Sequence, residues 1–330
     1  MVGNAKEITF MRLHRIKQMI QGNKAVLCMA YVALDTVQGL ISAFGWTKAD
    51  NGAAHASMDL DASVGYVGEV YGDYIKYAGI DHFSGTVAEI GPGDNFGVSL
   101  LMRKGGAEEV FAIDRFYSRR DEASQDKIYE ALSQKHDMAD LFDGVPSEKN
   151  ILNLHYKYGE PAETFFADRE QEYDALVSRA VFEHLFDPIK VLRDTTEKLK
   201  PGGVQVHEID LRDHGMFFGH HPLTFLTVSK GLYRLMTKNA GRPNRVMNHV
   251  YKDWLQASGL DFEIRIKGLV GVDVSFEPDT WDNLDTALKS KAIKIVQDIR
   301  PALSAEFTDV ADEELAASIV ILVLKKQNDT

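Results

Sequence analysis

The stretch from Thr86 to Phe116, TVAEIGPGDNFGVSLLMRKGGAEEVFAIDRF, constrains this chain more than any other. Thr86 to Ile90 is a short run of strand type. Gly91, Gly93 and Gly97 follow, and glycine tolerates tight turns and close backbone approach. Val98 to Lys104 opens a helix whose first N–H groups have no partner inside it and face a ligand. Val110 to Ile113 is the next strand. Asp114 at its C-terminal end is placed to accept hydrogen bonds from both hydroxyls of a ribose. The spacing is G-x-G-x-x-x-G, one residue longer than the dinucleotide fingerprint, which favours a nucleotide-like ligand without a pyrophosphate. A purely architectural βαβ turn is the competing reading, because loop glycines alone do not make a site.

The segment EIGPG and the acid after the second strand resemble motif I and the following acidic position of the class I S-adenosylmethionine-dependent methyltransferases. Three later landmarks carry the same resemblance: the fourth strand YDALVS followed by the EH pair of SRAVFEHLFDP, the LKPGG turn, and the strand from Val204 to Ile209. It covers roughly residues 86–211 with every strand in order. The resemblance implies an α/β, Rossmann-like, doubly wound sheet of seven strands whose last strand, SIVILVL at Ser318 to Leu324, runs antiparallel. It implies S-adenosylmethionine as the cofactor, with Glu89, Gly91, Gly93, Asp94, Asn95, Gly97, Asp114, Arg115, Glu163, Ser178 and Arg179 as its binding residues. In the family an acid-containing loop lies near the adenine, and YGEPAE offers Glu160 and Glu163 for it, with solvated surface acids as the alternative.

The domain boundaries expected are an N-terminal helical segment over 1–80 and a methyltransferase domain over 81–330, with 213–260 a helical lid inserted after strand five. Helical spacing over Ala25 to Trp46 and over Val64 to Ala78, with Gly79 as C-cap, supports the first part. Lys48 to Ser63 reads as a loop or linker. Further along, Glu122 to Leu141 is a crossover helix, Asn150 to Leu154 a short strand, Ile189 to Leu199 an amphipathic helix, and Pro222 to Ala240 a helix rich in large apolar groups. Phe262 to Val274 contains strand six, and Asp282 to Ile299 is a helix before strand seven.

Candidate proton acceptors are His184, Asp210 and His214. His184 is read at the start of the next helix, where the terminus keeps an imidazole neutral; a structural histidine closing the loop is the alternative. Asp210, Asp213 and His214 leave strand five at the end of the sheet where open α/β folds bind ligands. With His220 and His221 they also suggest a metal, but Asp210 and His214 converge as an i, i+4 pair only on a helix, so no metal is assigned. Asn244 and Arg245 in GRPNR stand as acceptor-binding residues or as a capped turn; the segment resembles methyltransferases of bacterial polysaccharide and specialised-metabolite pathways.

With 37 Lys and Arg against 49 Asp and Glu, the net charge of −12 opposes a phosphate backbone, so nucleic acid is not an expected partner. One cysteine, Cys28, rules out an internal disulfide framework and suits a reducing cytoplasm. The run from Ala25 to Trp46 is not read as a membrane span, because Asp35 sits in its middle. Packing on the core or on a second subunit is favoured for it, with membrane contact through the basic residues before it left open, and a homo-oligomer likewise. The function expected is methyl transfer to a hydroxyl of a sugar-containing or polyhydroxylated small molecule. The alternatives are an N- or C-methyltransferase of a natural-product pathway and a non-catalytic S-adenosylmethionine-binding partner protein; a nicotinamide dehydrogenase is disfavoured by the glycine spacing.

Overall fold

The computed structural model describes residues 22–43, 55–115 and 121–328. The basic stretch at Lys6 to Lys17, residues 48–54 of the linker, and Arg119 and Arg120 lie outside them. In chain order the elements are α1 (Lys24–Ala43), α2 (Leu60–Ala78), β1 (Gly85–Ile90), α3 (Gly97–Gly105), β2 (Ala107–Asp114), α4 (Glu122–His136), β3 (Leu154–Tyr158) and α5 (Ala162–Phe165). They continue with β4 (Tyr173–Arg179), α6 (Pro188–Glu197), β5 (Leu199–Asp210), α7 (Lys230–Thr237), α8 (Asn248–Ser258), β6 (Asp261–Leu269), α9 (Thr286–Ile299), α10 (Asp312–Ala316) and β7 (Ala317–Lys325).

The strands make one seven-stranded sheet in the order β3-β2-β1-β4-β5-β7-β6. The first five run parallel, with Ile90 beside Ile113 on one side and Ser178 on the other, and Arg179 beside Glu208. β7 is antiparallel: Gly202 and Gly203 bond Lys326 while Leu211 bonds Ser318, so β5 and β7 advance in opposite directions. The order turns back between β1 and β4. The carboxyl ends of those two strands are therefore the topological switch point, where such sheets hold ligands.

The chain divides into two compact units. Among the described residues, the larger gathers 55–115, 121–210, 251–265 and 320–328, and the smaller gathers 22–43, 211–250 and 266–319. In the larger unit Val67, Val70 and Tyr74 of α2, Leu100 and Met102 of α3, and Ile128 and Leu132 of α4 bury one face of β1, β2, β4 and β5. In the smaller unit α1 packs along α7 and α9 along α10.

Several expected boundaries shift for local reasons. α2 starts at Leu60, four residues before the apolar periodicity does, because the Asp59 carboxylate caps it by accepting from the Ala62 N–H at 2.8 Å. Gly79 ends it as expected, at φ +63°. α4 stops at His136, since Asp137 takes a left-handed conformation, and a separate 3-10 turn covers Ala139–Leu141. Strand three is Leu154–Tyr158 and not Asn150 to Leu154; the earlier residues form a 3-10 turn and a single bridge from Ile151 to Phe142. LKPGG is no turn before β5 but its first residues, with the surplus absorbed as a register shift opposite Tyr173 to Ala175. Pro222 to Ala240 is a 3-10 turn at Thr224–Thr227 followed by the shorter α7. α9 begins at Thr286, where Asp285 accepts from the N–H groups of Ala287 and Leu288.

Candidate functional site

The cofactor-type residues of the sequence all lie in the larger unit, most of them at or just after the carboxyl ends of β1, β2 and β4. The turn after β1 depends on glycine at its first position. Gly91 has φ +73°, and a Cβ there would lie 2.3 Å from Val181 Cγ2, so both conformation and space exclude a side chain. Gly93 repeats the left-handed conformation at φ +70°. Gly97 serves two purposes: a Cβ would press on Asn95 Oδ1 at 2.7 Å and on Val67 Cγ2 and Leu132 Cδ1 at 2.8 Å, so its absence keeps the Asn95 turn and lets α3 pack closely against α2 and α4.

Between these glycines Asp94 and Asn95 are both buried. Asn95 accepts from the Gly97 N–H at 2.6 Å and donates to Gln125 Oε1, which locks the loop onto α4. Asp94 accepts from the backbone N–H of His55 at 3.4 Å. His55 was not singled out by its sequence context. Its ring stands edge-on to Tyr66, 5.6 Å between centroids, and its Nδ1 is buried without a hydrogen-bond partner. Burial lowers its pKa, partly offset by Asp94, so the imidazole is neutral near pH 7.

Glu89 is buried in β1 and accepts from the Ser99 hydroxyl at 2.5 Å. Burial raises its pKa to about 7, against the lowering effect of that hydrogen bond. Asp114 is half-buried at the end of β2, and its carbonyl accepts from the Gly159 N–H at 3.1 Å. The Arg115 guanidinium lies 4.1 Å from the centroid of the Phe186 ring. Glu163 accepts from the N–H groups of Phe186 at 2.8 Å and Asp187 at 3.5 Å, so it fastens the 185–187 segment beside Arg115. Glu160 is turned to Arg169 at 2.8 Å.

Ser178 is fully buried and faces inward. Burial lowers the pKa of His207 to about 3, so that ring is neutral. The Ser178 hydroxyl then donates to Nδ1 at 2.8 Å while the Nε2 hydrogen reaches Gln205 Oε1 at 2.9 Å. Thr195 and Thr196 complete this buried polar chain. Arg179 does the opposite, gathering carboxylates at the strand ends: Asp73 at 3.2 Å, Glu208 at 3.4 Å and Glu69 at 3.6 Å, with Tyr66 under the guanidinium at 5.5 Å. Tyr66, Glu69 and Asp73 share one face of α2 at i, i+3 and i+7, beside its apolar face. That spacing is the signal by which the sequence could have disclosed them.

His184 does not begin a helix. It ends a 3-10 turn, Phe182–His184, and α6 starts at Pro188 behind its Asp187 cap, so the helix-terminus argument does not reach it. Its neighbour Glu183 is buried, with a pKa raised to about 8 mainly by burial and further by Asp210. At neutral pH Glu183 is therefore chiefly protonated and supplies a hydrogen bond donor rather than a base. Asp210 ends β5 in the larger unit.

His214 belongs to the smaller unit, at φ +50°. Asp213 closes a turn there by accepting from the N–H groups of Gly215 at 2.9 Å and Phe217 at 2.8 Å. His221 donates from Nε2 to the Ile295 carbonyl at 3.1 Å and accepts at Nδ1 from the Leu223 N–H. Asn244 caps its own turn through the Val246 N–H at 2.8 Å. Arg245 donates to the carbonyls of Phe225 and Val228 and pairs with Glu306 at 2.9 Å, so these two side chains hold the turn before α8.

The cradle suits an adenosine-bearing sulfonium ligand. Its glycine backbone leaves room at the switch point, an acid stands at the end of β2, and the surrounding side chains are predominantly acidic. No curated protein matches the chain. Among solved structures it is similar to a Galdieria sulphuraria protein described as a sarcosine dimethylglycine methyltransferase, at 18% identity over 79% of this chain and 85% of that one, TM-score 0.39. It is similar to Haemonchus contortus phosphoethanolamine N-methyltransferase 2 in complex with S-adenosyl-L-methionine, at 14% identity over 79% and 53%, TM-score 0.40. A third is an O-methyltransferase family protein from Burkholderia thailandensis, at 9% identity over 82% and 59%, TM-score 0.39. A family model, Methyltransferase domain, matches residues 65–263, more than half of the sequence. The chain belongs to that methyltransferase family, and its cofactor is S-adenosylmethionine.

Proposed function

We propose that the protein transfers a methyl group to a hydroxyl of a sugar-containing or otherwise polyhydroxylated small molecule. The observation that carries this reading is the Arg179 cluster at the ends of β4 and β5. Three carboxylates from Glu69, Asp73 and Glu208 surround one guanidinium, a rim of acceptors with a fork of donors that suits a ligand rich in hydroxyls. The bound cofactor supplies an electrophilic methyl on sulfur, so the chain's own task is to align the acceptor and take up one proton. A hydroxyl is far less acidic than an imidazolium, so its proton leaves as the methyl arrives. His184 and Asp210 are the proposed acceptors of that proton.

The excess of acids over guanidinium in the same cluster favours a second reading, an amine acceptor that enters as a cation. Calorimetry with S-adenosylhomocysteine comes first: micromolar binding, lost in Asp114→Ala and absent for NAD, is expected. Methyl transfer from labelled S-adenosylmethionine to panels of hydroxylated and amine acceptors then separates the two. Turnover confined to amines would overturn the hydroxyl reading, and binding with no turnover on either panel would leave a cofactor-binding partner protein.

A further inference from the structure

α1 carries a charge on its inner side and none on its outer side. Asp35 is the only charged residue between Ala25 and Trp46, and it is fully buried. Its carboxylate accepts from the N–H groups of Asn239 and Ala240, from the Asn239 amide at 2.9 Å and from Arg242 at 3.0 Å. The residue that argued against a membrane span is thus spent inside the smaller unit. Opposite it, Val26, Met29, Leu34, Val37, Leu40 and Ile41 are exposed, Met29 to 62% and Leu40 to 58%. At 3.6 residues per turn these six fall within an arc of about 140° centred away from Asp35, on a helix roughly 30 Å long. The window Lys24–Ile41 has a mean hydropathy of 1.4 with only 17% of its residues buried. An apolar stripe of that length on a soluble surface marks an interaction site.

Charge identifies what covers it. Up to and including the first residue of the helix, residues 1–24 carry Lys6, Arg12, Arg15, Lys17 and Lys24 against the single acid Glu7, in a chain whose net charge is −12. A second copy would bring two acidic chains together, whereas an anionic lipid surface matches the basic stretch that adjoins this helix. We propose that this face of α1 lies in the interfacial layer of an anionic membrane, seated by its exposed apolar side chains and drawn there by the basic residues before it. Such a helix lies in the plane of the interface and does not cross it. The enzyme would then meet acceptors presented at a membrane surface.

The test is co-sedimentation of the full chain with vesicles of phosphatidylcholine alone or of phosphatidylcholine with phosphatidylglycerol, at low and raised salt. Binding to the anionic vesicles that weakens with salt is expected. Substituting Met29→Glu together with Val37→Glu should lower it by on the order of tenfold or more, since both side chains are exposed and their loss spares the fold. Replacing Arg12, Arg15 and Lys17 by Gln should lower it by on the order of fivefold per charge. Undiminished binding of S-adenosylhomocysteine shows that each variant is folded. No binding of the parent protein to anionic vesicles would overturn the proposal. So would a dimer, seen by light scattering, that Met29→Glu and Val37→Glu dissolve while vesicle binding stays unmoved.

Discussion

Two glutamates in the larger unit make its stability depend on pH with a definite sign. Glu89 and Glu183 have folded-state pKa values of about 7 and about 8, above the ordinary carboxylate range. A carboxyl whose pKa is raised on folding contributes stability below its unfolded pKa, and that contribution is lost as pH rises through the folded value. His207 works against this, because a histidine held neutral at a pKa of about 3 contributes stability that is lost as pH falls below the ordinary histidine range. The histidine effect ends near pH ~6.5, so above that the glutamates act alone. The ligand-free protein should lose stability between about pH 6.5 and 8, with Glu183 responsible for about 2 kcal/mol. Urea midpoints across that window measure it, and Glu183→Gln should flatten the dependence. A midpoint that climbs with pH would contradict the assignment.

At the scale of elements, the loop after β1 and the α1–α7 pair give two further predictions. Gly91→Ala puts a methyl into the Val181 side chain at a left-handed position, so it should destabilise by about 2 kcal/mol or more and weaken S-adenosylhomocysteine binding along with it. Gly97→Ala presses on Asn95 of the same loop as well as on Val67 and Leu132, so it should cost both stability and S-adenosylhomocysteine binding, which urea unfolding and calorimetry measure. Asp35→Ala leaves Arg242 and two backbone N–H groups without their acceptor in a buried place, so a loss of about 3–5 kcal/mol is expected in urea unfolding. Asp35→Asn, which keeps the shape, should lose less. These elements also show what a sequence discloses. The β1 turn and Asp114 were legible because their pattern is local: strand, glycines, helix and acid follow within thirty-odd residues. Strand three was misplaced because it is half exposed, with Lys157 and Tyr158 at the surface and no apolar run to mark it. The partners of Arg179 could not be read at all from its own neighbourhood, since Glu69 and Asp73 precede it by more than a hundred residues and meet it only through the fold.

For the whole molecule the informative fact is how the expected site residues are shared out. From Glu89 to Arg179 every cofactor-type residue lies in the larger unit, whereas His214, Asn244 and Arg245 lie in the smaller. A ligand that binds only the folded state stabilises it by about 2.7 kcal/mol when present at a hundred times its dissociation constant. For a folding unit of some two hundred residues that is a rise of roughly 5–10 °C in Tm. Scanning calorimetry with excess S-adenosylhomocysteine should therefore show a shift of this size in the transition that reports the larger unit. Asp114→Ala should abolish the shift at the same ligand concentration. Asn244→Ala should keep it, because that side chain is spent on the Val246 N–H in a turn of the other unit. The contrast matters more than either result alone: a shift lost in both variants would mean that the smaller unit supplies part of the cofactor's binding energy. A shift kept in both would move the ribose contact away from the end of β2, and with it the assignment on which the acceptor geometry at Arg179 depends.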